Sequence, residues 1–116
     1  MWVFTREGFV SVVQYRGSPE TLLVRARDIA HLKALNETYD IQGQYLPTAV
    51  NADYQARMTV SRARWAHAMT QMVEAIDYPN FKEMVGRDRP ADVRYLTGLI
   101  EVWTTLFDVY SKPSHD

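Results

Sequence analysis

Between Asp53 and Ile76 the apolar residues change period, and that change constrains the fold more than any other stretch of the chain. Tyr54, Ala56, Met58 and Val60 alternate with Asp53, Gln55, Arg57 and Thr59. A period of two turns one set inward and the other outward on a strand. Ser61 then caps a helix, with Val60 and Trp65 at the two positions of a hydrophobic staple. Beyond it Trp65, Met69, Met72, Val73 and Ile76 recur at helical spacing as one apolar stripe. A half-buried strand that runs straight into an amphipathic helix calls for a sheet and a helix on a shared core.

The flanking segments extend this pattern. Trp2 to Arg6 and Phe9 to Tyr15 are β-rich runs separated by Glu7-Gly8, a hairpin signal. After the turn cluster Arg16-Gly17-Ser18-Pro19-Glu20, a third strand is expected over Thr21 to Arg27, with Leu22, Val24 and Ala26 on one face. Asp28 stands at an N-cap position before Ile29, Leu32 and Leu35. Residues 37–52, with Gly43 and Pro47, read as a long connection holding at most a short extended piece at Tyr45-Leu46. Past Ile76, Asp77-Tyr78-Pro79 breaks the helix and Asp77 caps a short one through Phe81 to Val85, ended by Gly86. Pro90 suits the first turn of a last helix, whose buried side is expected to carry Leu96, Leu99, Ile100, Trp103, Phe107 and Tyr110. Pro113 stops it.

The order is β-β-β-α-β-α-α-α. The expected class is α+β, in two layers: a mainly antiparallel four-stranded sheet with helices packed on one face. A chain of 116 residues with 47% hydrophobic content fits a single globular domain, here 1–112, with 113–116 as a frayed tail. No apolar run is long enough to span a membrane, and Met1-Trp2-Val3-Phe4-Thr5-Arg6 reads as a strand and not as a signal peptide. Cytoplasmic is the default location, and the absence of cysteine fits a reducing compartment.

Two features of the sheet bear on function. The first two strands are apolar on both sides: Trp2 and Phe4 back Val3, while Phe9, Val13 and Tyr15 back Val10 and Val12. A sheet with one wet face alternates apolar with polar residues, so the second face calls for cover. Either the 37–52 connection supplies it, through Tyr39, Ile41, Tyr45 and Leu46, or a second copy does, in a homodimer with the sheet at its interface. The second feature is arginine of outward parity, Arg25, Arg27 and Arg57, with Gln55 beside Arg57. Brought together they hold a phosphate or carboxylate; the plainer reading is a solvated face whose arginines pair with neighbours such as Asp53. Ten of the thirteen basic residues are arginine, which fits anion recognition or the coding bias of a GC-rich genome. The net charge of −1 argues against a general nucleic-acid binder.

Catalytic signatures are missing. His31, His67 and His115 each stand alone, with no metal-ligand pairing, and the five glycines are scattered, with no phosphate-binding loop. No cofactor or metal is implied. Glu74 and Asp77 read as solvated, and Tyr78 with Phe81 as packing.

Several phrases, taken together, carry a resemblance: Met1-Trp2-x-Phe4 followed by Gly8-Phe9-Val10-Ser11-Val12-Val13, then Val24-Arg25-Ala26-Arg27, Asn51-Ala52-Asp53-Tyr54, Ile76-Asp77-Tyr78-Pro79-Asn80-Phe81-Lys82 and Val102-Trp103. In these the chain resembles a family of short proteins of no assigned activity found in bacteria and their phages, actinobacteriophages among them. The resemblance implies a phage origin and carries over no functional residue. The leading expectation is a non-enzymatic module that binds a protein partner, as a phage-encoded modulator or inhibitor of a host defence system. The alternative is a small-ligand or nucleotide binder using Arg25, Arg27, Gln55 and Arg57. A third reading is an enzyme assembled from scattered residues such as His31, His67 and Asp53.

Overall fold

The first reversal of the chain is built by one hydroxyl. Thr5 Oγ1 accepts the backbone N–H groups of Glu7 and Gly8, each at 3.1 Å, and donates to the Gly8 carbonyl at 2.9 Å. Strand β1 (Trp2–Thr5) is thereby folded antiparallel onto β2 (Gly8–Tyr15), with Trp2 opposite Ser11 and Phe4 opposite Phe9. Gly17, at φ +79°, turns β2 into β3 (Ser18–Ala26). The computed structural model describes residues 1–113. These form two compact units, Met1–Asp77 and the segment from Tyr78 onward.

The first unit is an open antiparallel sheet of five strands in the order β1-β2-β3-β5-β4, where β4 is Gln44–Tyr45 and β5 is Ala56–Ser61. The sequence leads to four strands. The fifth, β4, is two residues long, too short for any period to show, and it forms the edge beside β5 with Tyr45 opposite Met58. The ladder continues past it through Leu46 N–H to the Arg57 carbonyl, at 2.9 Å. Pro47, with no N–H to offer, suits that edge. The expected extended piece at Tyr45-Leu46 thus lies one residue earlier.

Helices α1 (Ile29–Thr38) and α2 (Arg62–Glu74) cover one face of this sheet. Both start where the sequence places a cap: Asp28 accepts from Ala30 N–H and Ser61 from Arg64 N–H. The core between the layers takes Val10, Val12, Leu22, Val24, Ala26, Ala56, Met58 and Val60 from the strands, Leu32 and Leu35 from α1, and Trp65 and Ala68 from α2. Arg62 ties the start of α2 to the β2–β3 hairpin by donating to the Pro19 carbonyl and to Gln14 Oε1. The stripe of α2 fades toward its end: Met69 and Met72 are half-buried, while Val73 and Ile76 are exposed.

Of the connection after α1, neither Tyr39 nor Ile41 covers the second face; the half-buried Leu46 comes opposite Arg57 at its edge. Ile41 is buried in the helix-side core and Tyr39 packs against that same core. Asp40 and Gln42, at φ 47° and 59°, fold the chain tightly around Ile41. Tyr45 is exposed. No helix of this unit covers the second face, on which Trp2 and Val13 are exposed.

In the second unit α3 (Phe81–Asp88) and α4 (Val93–Ser111) form a helical hairpin. Helix α3 is capped by Asn80, which accepts from Glu83 N–H at 3.0 Å, and not by Asp77. The reason is Pro79: a residue before proline is held extended, so Tyr78 cannot open a helix. Asp77 instead accepts a charge-assisted bond from Arg6 within the first unit. Helix α3 also runs through Gly86 to Asp88, and Gly86 sits against Leu96, where an added Cβ would be in ordinary contact at 3.4 Å. Asp92 caps α4, so Pro90 precedes the helix and does not open it.

The expected buried side of α4 holds only in part. Leu99 is buried and Leu96 half-buried, but Ile100, Trp103, Phe107 and Tyr110 are exposed. With 8 residues in α3 against 19 in α4, the two helices are about 12 and 28 Å long, and the shorter runs out. Of the expected tail at 113–116, residues 114–116 lie outside the described residues.

Candidate functional site

The second face of the sheet carries the densest gathering of unusual side chains. The register alone assembles it: Trp2 faces Ser11, Ser11 faces Arg25, and Arg25 faces Arg57, a row across β1, β2, β3 and β5. Phe4 and Phe9 are opposed two pairs along and stack at 4.6 Å between ring centroids, and Trp2 meets Phe9 edge-on at 6.1 Å. Such ring geometries are the favoured ones.

Tyr54 completes the row from outside the strands. By parity with Ala56 it belongs on the helix side. Strand β5, however, begins only at Ala56, and the ring of Tyr54 lies against Phe9 on the other face. Two cations rest on it, the guanidinium carbons of Arg25 at 4.7 Å and of Arg27 at 4.8 Å from the ring centroid. Each such contact is worth about 0.5–1 kcal/mol at partly exposed sites.

Arg25 and Arg57 are directly opposed like charges, an arrangement that weakens a strand pair. Each has only a neutral acceptor: Ser11 Oγ at 2.8 Å for Arg25 and the Pro47 carbonyl at 3.2 Å for Arg57. The Nε of each is buried and without a hydrogen-bond partner. Among the described residues no carboxylate forms an ion pair with Arg25, Arg27 or Arg57, Asp53 included. Gln55 takes no part, since its amide donates to the Val50 carbonyl at 3.1 Å. The structure therefore links Arg25 to Arg57 by register and to Arg27 through Tyr54, and turns Gln55 toward a loop. Trp2, Phe4, Phe9, Ser11 and Tyr54 belong with the arginines. Sequence parity shows Trp2, Phe4 and Phe9 on one side of their strands but misplaces Tyr54.

Among the described residues, His31, His67 and Asp53 share no cleft. His31 is buried, and its Nδ1 accepts the backbone N–H of Phe9 at 3.3 Å, which locks it into the β2–α1 packing. His67 lines a shallow cleft of about 360 Å³ with Tyr39, Asp40, Ser61, Ala63 and Arg64. Neither His31 nor Asp53 lines that cleft. His115 lies outside the described residues. The half-buried Tyr78 and Phe81 pack as a tilted ring pair at 5.8 Å.

These geometries define an antiparallel α+β unit with an aromatic and arginine-bearing sheet face. Comparison with known proteins found no matching family model, no similar curated protein and no similar solved structure. Among the described residues no helix is long and apolar enough to cross a membrane.

Proposed function

We propose that the chain is a non-enzymatic protein-binding module, and that the aromatic and arginine-bearing sheet face is its binding surface. One observation carries this reading: Trp2, 70% exposed, stands on the same face as Tyr54 and three arginines that have no carboxylate partner among the described residues. Tryptophan, tyrosine and arginine are the residues in which binding energy concentrates at protein interfaces. An apolar anchor flanked by acidic side chains is the matching chemistry on a partner. With the resemblance to phage proteins, the reading extends to a phage-encoded modulator of a host defence system, working in the host cytoplasm. The test is capture from host lysate with the intact chain and with Trp2→Ala and Arg25→Ala. A partner held by the first and released by both variants supports the reading, with Kd weakened roughly thirtyfold, about 2 kcal/mol, by loss of the tryptophan. Retention by both variants overturns it.

The guanidinium groups also favour a second reading, a binder of small anions or nucleotides through Arg25, Arg27 and Arg57. A ligand at a hundredfold excess over its Kd adds about 2.7 kcal/mol of stability, a rise of several degrees in Tm. Under this reading a nucleotide or phosphate produces that rise, and Arg57→Ala removes it.

A further inference from the structure

The sheet face leaves one large apolar surface unexplained, the C-terminal half of α4. From Ile100 to Tyr110 every residue is exposed, and Ile100, Trp103, Leu106, Phe107 and Tyr110 are each about half exposed or more, Tyr110 reaching 83%. Four of them, Ile100, Trp103, Phe107 and Tyr110, repeat at intervals of three, four and three, the spacing of a helix–helix seam. They continue a line begun by Leu96 and Leu99, over which α3 lies only as far as its length allows. Trp103 and Phe107 already stack at 5.3 Å, and Lys82 of α3 caps the indole at 4.0 Å. The exposed surface thus begins where the cover of α3 stops.

We propose that this surface is a self-association seam, covered in solution by α4 of a second copy packed antiparallel to the first. Three features select that occupant. The seam is self-complementary: an antiparallel mate sets Ile100 opposite Tyr110 and Trp103 opposite Phe107, so each layer pairs the same two residues in both directions. Its area suffices, since five half-exposed large side chains offer about 100 Å² each, and two copies bury about 1,000 Å², the lower bound of a specific interface. Its charges are wrong for lipid. Helices that lie on membranes carry a lysine- and arginine-rich polar face, whereas from Val93 to Lys112 two acids, Glu101 and Asp108, balance Arg94 and Lys112. Helical spacing also puts both acids well off the seam, so two copies meet without opposing carboxylates.

Size exclusion with light scattering on the full chain, at tens of micromolar, tests this. The expected mass is twice 13.4 kDa, falling to the monomer value with Phe107→Glu and, independently, with Tyr110→Glu. Both positions are exposed, so the helical circular dichroism of either variant stays native. Trp2→Glu, on the sheet face, leaves the dimer intact. A monomeric parent chain overturns the proposal, as does a dimer that Trp2→Glu dissociates or that survives both α4 variants. Flotation of the parent chain with phosphatidylcholine–phosphatidylserine vesicles, abolished by Phe107→Glu, would give the seam to lipid and likewise overturn it.

Discussion

At the scale of single residues, Gly8 and Tyr54 show where local geometry overrides pattern. Gly8 sits at φ +147°, and a Cβ there would lie 2.1 Å from His31 Cγ. Backbone and neighbour both exclude a side chain, and displacing His31 also breaks its bond to Phe9 N–H. Gly8→Ala is expected to lower stability by about 2–4 kcal/mol, read as a shifted midpoint in urea at unchanged slope. Tyr54 is tested by a pair. Its hydroxyl has no hydrogen bond among the described residues, so Tyr54→Phe keeps the platform under Arg25 and Arg27 and changes stability by less than about 0.5 kcal/mol. Tyr54→Ala removes the platform and costs about 2–3 kcal/mol. Equal losses in the two variants would mean that the hydroxyl, and not the ring, holds this part of the face. The arginines were legible from strand parity. Tyr54 was not, because the alternation from Asp53 to Val60 starts before β5 itself begins at Ala56.

The secondary elements were readable where one signal stood alone and misread where two competed. Asp28 and Ser61 are unrivalled cap residues before apolar stripes, and both cap. Asp77 and Asn80 are rivals three residues apart, and the proline between them decides for Asn80 through its restriction of Tyr78. Asn80→Ala is therefore expected to cost about 1 kcal/mol in the stability of the α3–α4 hairpin, while Asp77→Ala leaves α3 intact and removes only an exposed ion pair with Arg6. Hydrogen exchange of the amides at the start of α3 distinguishes them, since only the first variant should speed it. Strand β4 carries no readable period in its two residues; its position follows from pairing with β5, a long-range fact. The apolar repeat of α4 predicts a buried side, yet four of its six residues, Ile100, Trp103, Phe107 and Tyr110, are exposed. A repeat of apolar residues specifies that something covers a helix, and within the second unit α3 reaches along it to Lys82 over Trp103, leaving Leu106, Phe107 and Tyr110 exposed.

For the molecule as a whole, the distribution of charge constrains which partners the sheet face can hold. Residues 1–64 carry eight basic and six acidic residues, but adding Glu74 and Asp77 gives Met1–Asp77 eight of each. A neutral unit projects little field beyond a Debye length of about 8 Å, so Arg25, Arg27 and Arg57 act by contact and not by steering. A polyanion needs more than that. Each phosphate neutralised on duplex DNA contributes about 0.9 to the slope of log affinity against log salt, and specific or non-specific binding rests on roughly six to ten of them. Three arginines bound the slope at about 3. Binding of the captured partner, measured by calorimetry between 50 and 500 mM salt, is accordingly expected to weaken with a slope of 1 to 3, reduced by about one in Arg27→Ala. Trp2→Ala should weaken affinity without changing that slope, because the indole contributes no charge. A slope well above 3 would mean that more cations reach the ligand than this face supplies, and that the surface in use lies elsewhere on the chain.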